Sequence, residues 1–282
     1  MTESFRTSDG RRLAYRRVGA GPLLVCHGGG PGYSSRYLGD LAGLGESLEL
    51  VLLDPRGTGG SDRPADSRAY RTGDYASDVD ELRRHLGRER IDLLGHSHGG
   101  VVAIEYAATF PERVGKLVLA STLARFHAEQ EEAMAAAIQA HAHEPWFADA
   151  TAALQAEQEG QFETDEELGA LAARELPLYF ARFGDPERAY VESLDNPNAD
   201  ALRLFNAEIF ATFDLRPRLA SIRAETLVIT GSEDVITGPV CARELSDGIP
   251  GALEVVIEGA GHFVFIEARE RFAAEVGAFV RR

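Results

Sequence analysis

Apolar residues recur in short continuous runs through the first 120 positions, and most of these runs are closed by glycine or proline. Pro22 to Cys26, Leu48 to Leu53, Ile91 to Leu94 and Val114 to Ala120 are such runs, and Arg12 to Val18 alternates weakly. Short apolar runs bounded by turn formers suit strands buried on both faces. Between them, Ser34 to Leu44, Thr72 to Leu86 and Gly99 to Phe110 carry helical spacing. The alternation predicts a mostly parallel sheet with helices on both sides.

From Leu123 to Phe213 the pattern changes to Ala, Glu and Gln at helical spacing, punctuated by Pro145, Pro177, Pro186 and Pro197. Strand patterns return at Thr226 to Thr230 and Leu253 to Ile257, with helices near Pro239 to Leu245 and Ala268 to Val280. The expected organisation is one α/β core, residues 1–122 and 214–282, interrupted by a helical cap at 123–213.

Charge sharpens this division. The chain of 282 residues has a formal net charge of −16. The segment 123–213 holds 18 acidic and 5 basic residues, whereas the rest is nearly balanced. The net charge disfavours nucleic acid and anionic membranes as partners; the acidic segment reads either as a solvated helical insertion or as a field that favours a cationic group on a substrate. No stretch is long and apolar enough to span a membrane. Met1 to Arg12 lacks the apolar run of a signal peptide, so a cytoplasmic location is expected. The two cysteines, Cys26 and Cys241, fit no metal-ligand spacing, and no cofactor is implied.

Candidate chemistry sits where strands end. Gly95-His96-Ser97-His98-Gly99 fits G-x-S-x-G between an apolar strand and a helical run. There the tight turn exposes a serine beside the positive end of a helix. A serine hydroxyl needs a base. His262, in Gly259-Ala260-Gly261-His262, follows one later strand, and Glu233 and Asp234 follow another. His96 and His98 form an H-x-H pair, but no third ligand has recognisable spacing, so no metal is expected. The loop His27-Gly28-Gly29-Gly30-Pro31-Gly32 can bring backbone N–H groups to a developing oxyanion. Gly29 is the favoured donor there and Gly30 the alternate, with the His98 N–H as the second donor.

Three stretches carry a family resemblance: His27 to Gly32, Asp54-Pro55-Arg56-Gly57-Thr58-Gly59-Gly60-Ser61, and the turn at Ser97. Through them the chain resembles the α/β-hydrolase superfamily, and within it the proline iminopeptidase-like serine aminopeptidases. The resemblance covers about two thirds of the chain, and the cap is matched less securely. An extra glycine in the first loop, Pro55 and His98 depart from the usual pattern. The extra glycine is similar to the loop of carbon–carbon bond hydrolases.

The resemblance implies an α/β-hydrolase core with an inserted cap and a triad of Ser97, Asp234 and His262, with Asp234 preferred over Glu233. It also implies cap carboxylates that hold a substrate's α-amino group. Glu208, flanked by apolar residues near the end of the cap, is the first candidate and Glu175 the second. The leading expectation is an aminopeptidase or amidohydrolase that releases an N-terminal proline or small aminoacyl group through an acyl-enzyme. Its substrate would be a small molecule or short peptide with a free amine, and a lipophilic biosynthetic intermediate fits as well. An esterase or carbon–carbon bond hydrolase with the same triad, a cofactor-free perhydrolase and a non-catalytic ligand receptor are the alternatives. Oligomeric state is not legible.

Overall fold

The computed structural model describes residues 2–210 and 212–282; Met1, in the expected core, and Ala211, in the expected cap, lie outside them. Eight strands form one sheet: β1 (Thr2–Arg6), β2 (Arg12–Val18), β3 (Leu23–His27), β4 (Glu49–Leu53), β5 (Ile91–His96), β6 (Val114–Ala120), β7 (Glu225–Gly231) and β8 (Leu253–Ile257). Their order is β1-β2-β4-β3-β5-β6-β7-β8. β2 is antiparallel to β1 and β4, and every pairing from β4 to β8 is parallel.

Parallel strands carry apolar residues on both faces because both must be covered. Leu24 and Cys26 enter one buried cluster with Leu50, Leu52, Leu94, Val118 and Ile229. Val25 enters the other with Val51, Leu93, Leu117 and Val228. This is the two-residue period of a strand expressed as two cores. Helices α1 (Thr72–His85) and α2 (His98–Thr109) cover the face with Val25.

Between β6 and β7 the chain forms α3 (Ala128–Ala140), α4 (Phe147–Gln158), α5 (Asp165–Glu175), α6 (Asp185–Glu192) and α7 (Ala199–Leu204), then a π-helical turn at Phe205–Ile209 and a short α8 (Arg216–Leu219). The core resumes with β7, α9 (Gly238–Gly248) and β8, followed by α10 (Val264–Glu267) and α11 (Arg269–Arg281). Phe272, Val276 and Phe279 of α11 close the face with Leu24.

Two expectations change. The helix expected over Ser34 to Leu44 is instead a pair of 3₁₀ turns, Ser35–Leu38 and Leu44–Glu46. Leu41, Ala42, Gly39 and Gly43 all adopt positive φ between them, which an α-helix does not allow. An additional strand, β1, pairs at the edge with only Phe5 buried, too weak a pattern to read beforehand.

The parallel register lines up the strand ends: His27 opposite Gly95, His96 opposite Ala120, and Gly231 opposite Ile257. Loops leaving these ends therefore emerge on one edge of the sheet, where such folds gather their functional groups. Leu94, fully buried in β5, contrasts with Leu253, which is 45% exposed. Leu94→Ala should destabilise the protein by about 2–5 kcal/mol, and Leu253→Ala by under about 0.5 kcal/mol, as measured by urea unfolding.

Candidate active site

Ser97 stands between β5 and α2 with φ 55° and ψ −127°, a conformation a serine adopts only when its surroundings impose it. The flanking glycines explain how. A methyl group on Gly95 would overlap the Gly99 carbonyl oxygen, and one on Gly99 would overlap the His27 carbonyl oxygen. Glycine is the residue that lets the strand, the turn and the neighbouring loop approach so closely.

His262 is 2% exposed, and its Nδ1 lies 3.1 Å from both Asp234 carboxylate oxygens. Asp234 also accepts hydrogen bonds from the Ile236 N–H at 2.9 Å, the Thr237 N–H at 3.0 Å and the Thr237 hydroxyl at 2.8 Å. Burial pushes this carboxyl up. His262 and Thr237 outweigh that effect and leave it well below the usual carboxylate range. An ionised Asp234 fixes the tautomer of His262 with the proton on Nδ1, so Nε2 is free to accept one. Ser97 and His262 line the same cavity; no hydrogen bond of 3.5 Å or less joins their side chains. The neighbouring Glu233 is exposed and accepts from Ser232, so it does not support the histidine.

The His262 loop is held from two sides. Its N–H donates to the Tyr179 carbonyl of the inserted helices at 2.8 Å. Glu267 accepts from the N–H groups of Gly261 at 2.7 Å and Ala181 at 2.9 Å, bridging core and insertion.

A chain of hydrogen bonds then ties this loop to the glycine-rich one. The Gly29 N–H donates to the Tyr37 hydroxyl at 2.6 Å, Tyr37 meets His96 Nδ1 at 2.7 Å, and His96 Nε2 meets the His262 carbonyl at 3.0 Å. A carbonyl only accepts, so His96 carries its proton on Nε2 and Nδ1 accepts the Tyr37 O–H. Burial keeps the ring neutral, with its pKa pushed down to about 3. Neither Tyr37 nor His96 carried a role in the sequence reading. In sequence His96 stands out by its place beside the serine and by the H-x-H pair it forms with His98.

This arrangement revises the oxyanion assignment. The Gly29 N–H, the first expectation, is taken by Tyr37. Gly30 lines the cavity with Ser97, and its N–H makes no hydrogen bond among the described residues. His98 is the first residue of α2, so its N–H has no partner one turn earlier.

Glu208 is a second correction. Its side chain is 46% exposed and pairs with Arg71 at 2.7 Å, away from the cavity. The apolar neighbours that drew attention to it, such as Ile209, turn inward from the π-helical turn while Glu208 turns outward. Arg56 is likewise structural: it is buried and makes paired hydrogen bonds to Asp78 at 2.7 and 2.8 Å.

Glu175 does line the cavity, together with Glu157, which was not singled out from sequence. Glu175 is 2% exposed, and its Oε2 is buried without a hydrogen-bond partner. Burial, and then the charge of Glu157, pushes its carboxyl well above the ordinary range. Glu157 is raised too, by burial. Glu157 lies in the last turn of α4 and Glu175 ends α5. Both sit at the negative ends of helix dipoles; with burial, these outweigh the hydrogen bonds that lower each carboxyl and favour a cation or a shared proton between them. Glu157 follows Ala150, Ala153 and Leu154 at helical spacing, all buried. That apolar stripe was the available signal.

Residues 21–269 match the family model described as the alpha/beta hydrolase fold. The chain is 30% identical to proline iminopeptidase PfmaB of Pestalotiopsis fici, covering 97% of this chain and 98% of that one. It is 28% identical to a proline iminopeptidase of Clostridioides difficile, over 96% and 95%. It superposes on an esterase from Exiguobacterium antarcticum with a TM-score of 0.75, 22% identity and full coverage of both chains. The protein belongs to the α/β-hydrolase superfamily, and within it to the proline iminopeptidase-like family.

Two predictions follow from this geometry. Tyr37→Phe strands the Gly29 N–H and His96 Nδ1, and should cost about 1–3 kcal/mol of stability while lowering kcat more than it raises KM. Steady-state kinetics and urea titration of one preparation measure both. The second concerns acid. Burial pushes His27 down to about 4 and His98, like His96, to about 3, against an unfolded value of 6.5. The unfolded chain therefore takes up protons that these rings refuse, and stability falls as pH drops from about 6.5 towards 4. Glu175, whose folded value is raised, acts oppositely: its contribution is full below 4.5 and is lost as pH rises through its folded value. His98→Phe should flatten the decline in urea midpoint between pH 6.5 and 5; an unchanged slope would contradict the assignment.

Proposed function

We propose that the protein is a serine aminopeptidase or amidohydrolase that removes a single N-terminal proline or small aminoacyl group. The observation that carries this reading is the unpartnered Glu175 oxygen beside Glu157, in the cavity that holds Ser97. Two buried carboxylates cannot both ionise without a counter-charge. A substrate ammonium supplies one and places the adjacent carbonyl at the serine. The part of the cleft they share with Ser97 is only about 110 Å³, which suits one small residue.

In this reading Ser97 Oγ attacks the carbonyl as His262 Nε2 takes its proton, after the ring closes on the hydroxyl in the substrate complex. Asp234 stabilises the imidazolium. The N–H groups of Gly30 and His98 receive the oxyanion. His262 then protonates the leaving amine as its bond to the carbonyl carbon breaks. Water, deprotonated by the same ring, releases the acyl group and restores Ser97. The substrate is a small molecule or short peptide with a free amine, and no nucleic acid or membrane takes part. The two free, buried cysteines suit the cytoplasm as its place of action.

The test compares aminoacyl arylamides with their N-acetyl counterparts. The free amines should be favoured by about 10²-fold in kcat/KM, an ion pair's contribution in a buried site. Glu175→Gln should remove most of that preference while leaving hydrolysis of an acyl ester that lacks an amine. Equal turnover of free and acetylated forms would exclude amine recognition. Ester hydrolysis alone would favour the esterase alternative.

A further inference from the structure

The cleft continues past Ser97, away from Glu175, into a second chamber of about 490 Å³. Gly30, Ser97, Glu157, Tyr179, Leu202 and Ile236 line both parts, so the serine sits on the partition. If the amine is held at Glu157 and Glu175, the aminoacyl side chain occupies the smaller part. The group leaving Ser97 must then occupy the larger one. This step rests on the proposed amine recognition.

The walls of the larger chamber are mostly apolar, with Phe126, Met134, Ile138, Phe205, Phe210 and Phe213 among them. Phe126 and Phe210 are 4.4 Å apart between ring centroids, and Phe205 and Phe210 are 5.7 Å apart. The charged groups are all acidic, and the other polar groups, Gln158, Asn206 and Thr237 among them, are neutral amides and hydroxyls. Glu131 and Glu157 present carboxylates. Gln130 spends its amide N–H on the Ile236 carbonyl at 2.8 Å, which leaves its buried Oε1 without a partner. Among the described residues no Arg or Lys lines either part of the cleft. His98, beside Ser97, is held neutral by burial and by the proximity of His27.

A peptide with a free C-terminus would bring a carboxylate into this chamber. It would meet like charge and an orphaned acceptor, with no cation to offset its desolvation. An uncharged apolar body meets aromatic and aliphatic walls, and a hydroxyl or amine on it can donate to Gln130. We infer that the larger chamber is a leaving-group subsite for bulky, uncharged or cationic apolar amines and alcohols, and that it rejects leaving groups carrying a carboxylate. The substrates this defines are aminoacyl amides or esters of apolar molecules rather than free peptides.

The experiment uses one aminoacyl group, prolyl or alanyl, on a graded set of leaving groups with the full chain. A dipeptide with a free carboxylate is compared with the same dipeptide as its carboxamide, and a methylamide with an octylamide. The carboxamide should exceed the free acid by at least ~10-fold in kcat/KM, and the octylamide should exceed the methylamide by a similar factor. Met134→Arg, which puts a cation in the chamber, should raise turnover of the free acid relative to the carboxamide. Free acid turned over as well as carboxamide by the unmodified protein would overturn the inference, whatever the variant does. The N-acetyl forms separate the two claims. If the free amine is still strongly preferred but the carboxylate carries no penalty, only the subsite fails. If the amine preference is absent, the amine-recognition reading fails first.

Discussion

The site depends on a hydrogen-bonded connection that runs from the Gly29 N–H through Tyr37 and His96 to the carbonyl of His262. Three loops that leave separate strands are joined by it into one rigid edge. Every polar atom in the chain has its partner in the neutral tautomer of His96, so the geometry is set without a net charge. The same edge is fastened to the inserted helices by the Tyr179 carbonyl and by Glu267. Ser97 is held in its strained turn because the surrounding backbones are too close for anything else. Strain there is maintained by packing elsewhere.

Charge is distributed with equal economy. Asp234 is buried and ionised because His262 and Thr237 satisfy it. Glu175 is buried with its Oε2 unpartnered. Asp234 lies behind His262 and Glu175 lines the cleft, and their acidities are driven in opposite directions. Placing Glu157 and Glu175 at the carboxyl ends of α4 and α5 works against helix stability. That cost is understandable where the negative potential is needed for a substrate.

Much of this was legible in the sequence, for identifiable reasons. Buried parallel strands write themselves as apolar runs, and a serine between a strand and a helix with glycines on both sides has few structural alternatives. Asp234 and His262 could be placed because both follow such strands. What failed was any inference that read neighbours in sequence as neighbours in space. Glu208 stands beside Ile209 and Phe210, yet a π-helical turn sends it to solvent and to Arg71. Glu157 has polar neighbours, yet its helical spacing from Ala150, Ala153 and Leu154 carries it inward, as Leu168 and Ala172 do for Glu175. Gly29 was preferred over Gly30 because nothing local shows that a tyrosine eight residues on will claim its N–H. The 3₁₀ turns at Ser35–Leu38 and Leu44–Glu46 were missed because helical apolar spacing outweighed two glycines.

The central claim is that Ser97 is a nucleophile activated by His262 at this edge of the sheet. The direct measurement is to treat the folded protein with a fluorophosphonate and map the adduct by mass spectrometry, alongside a His262→Ala variant shown to be folded by circular dichroism. The account predicts one phosphonylated residue, Ser97, with a labelling rate that falls by about 10²–10⁴-fold in the variant. A folded, unmodified protein that leaves Ser97 unlabelled, or one that labels equally well without the imidazole, would contradict it.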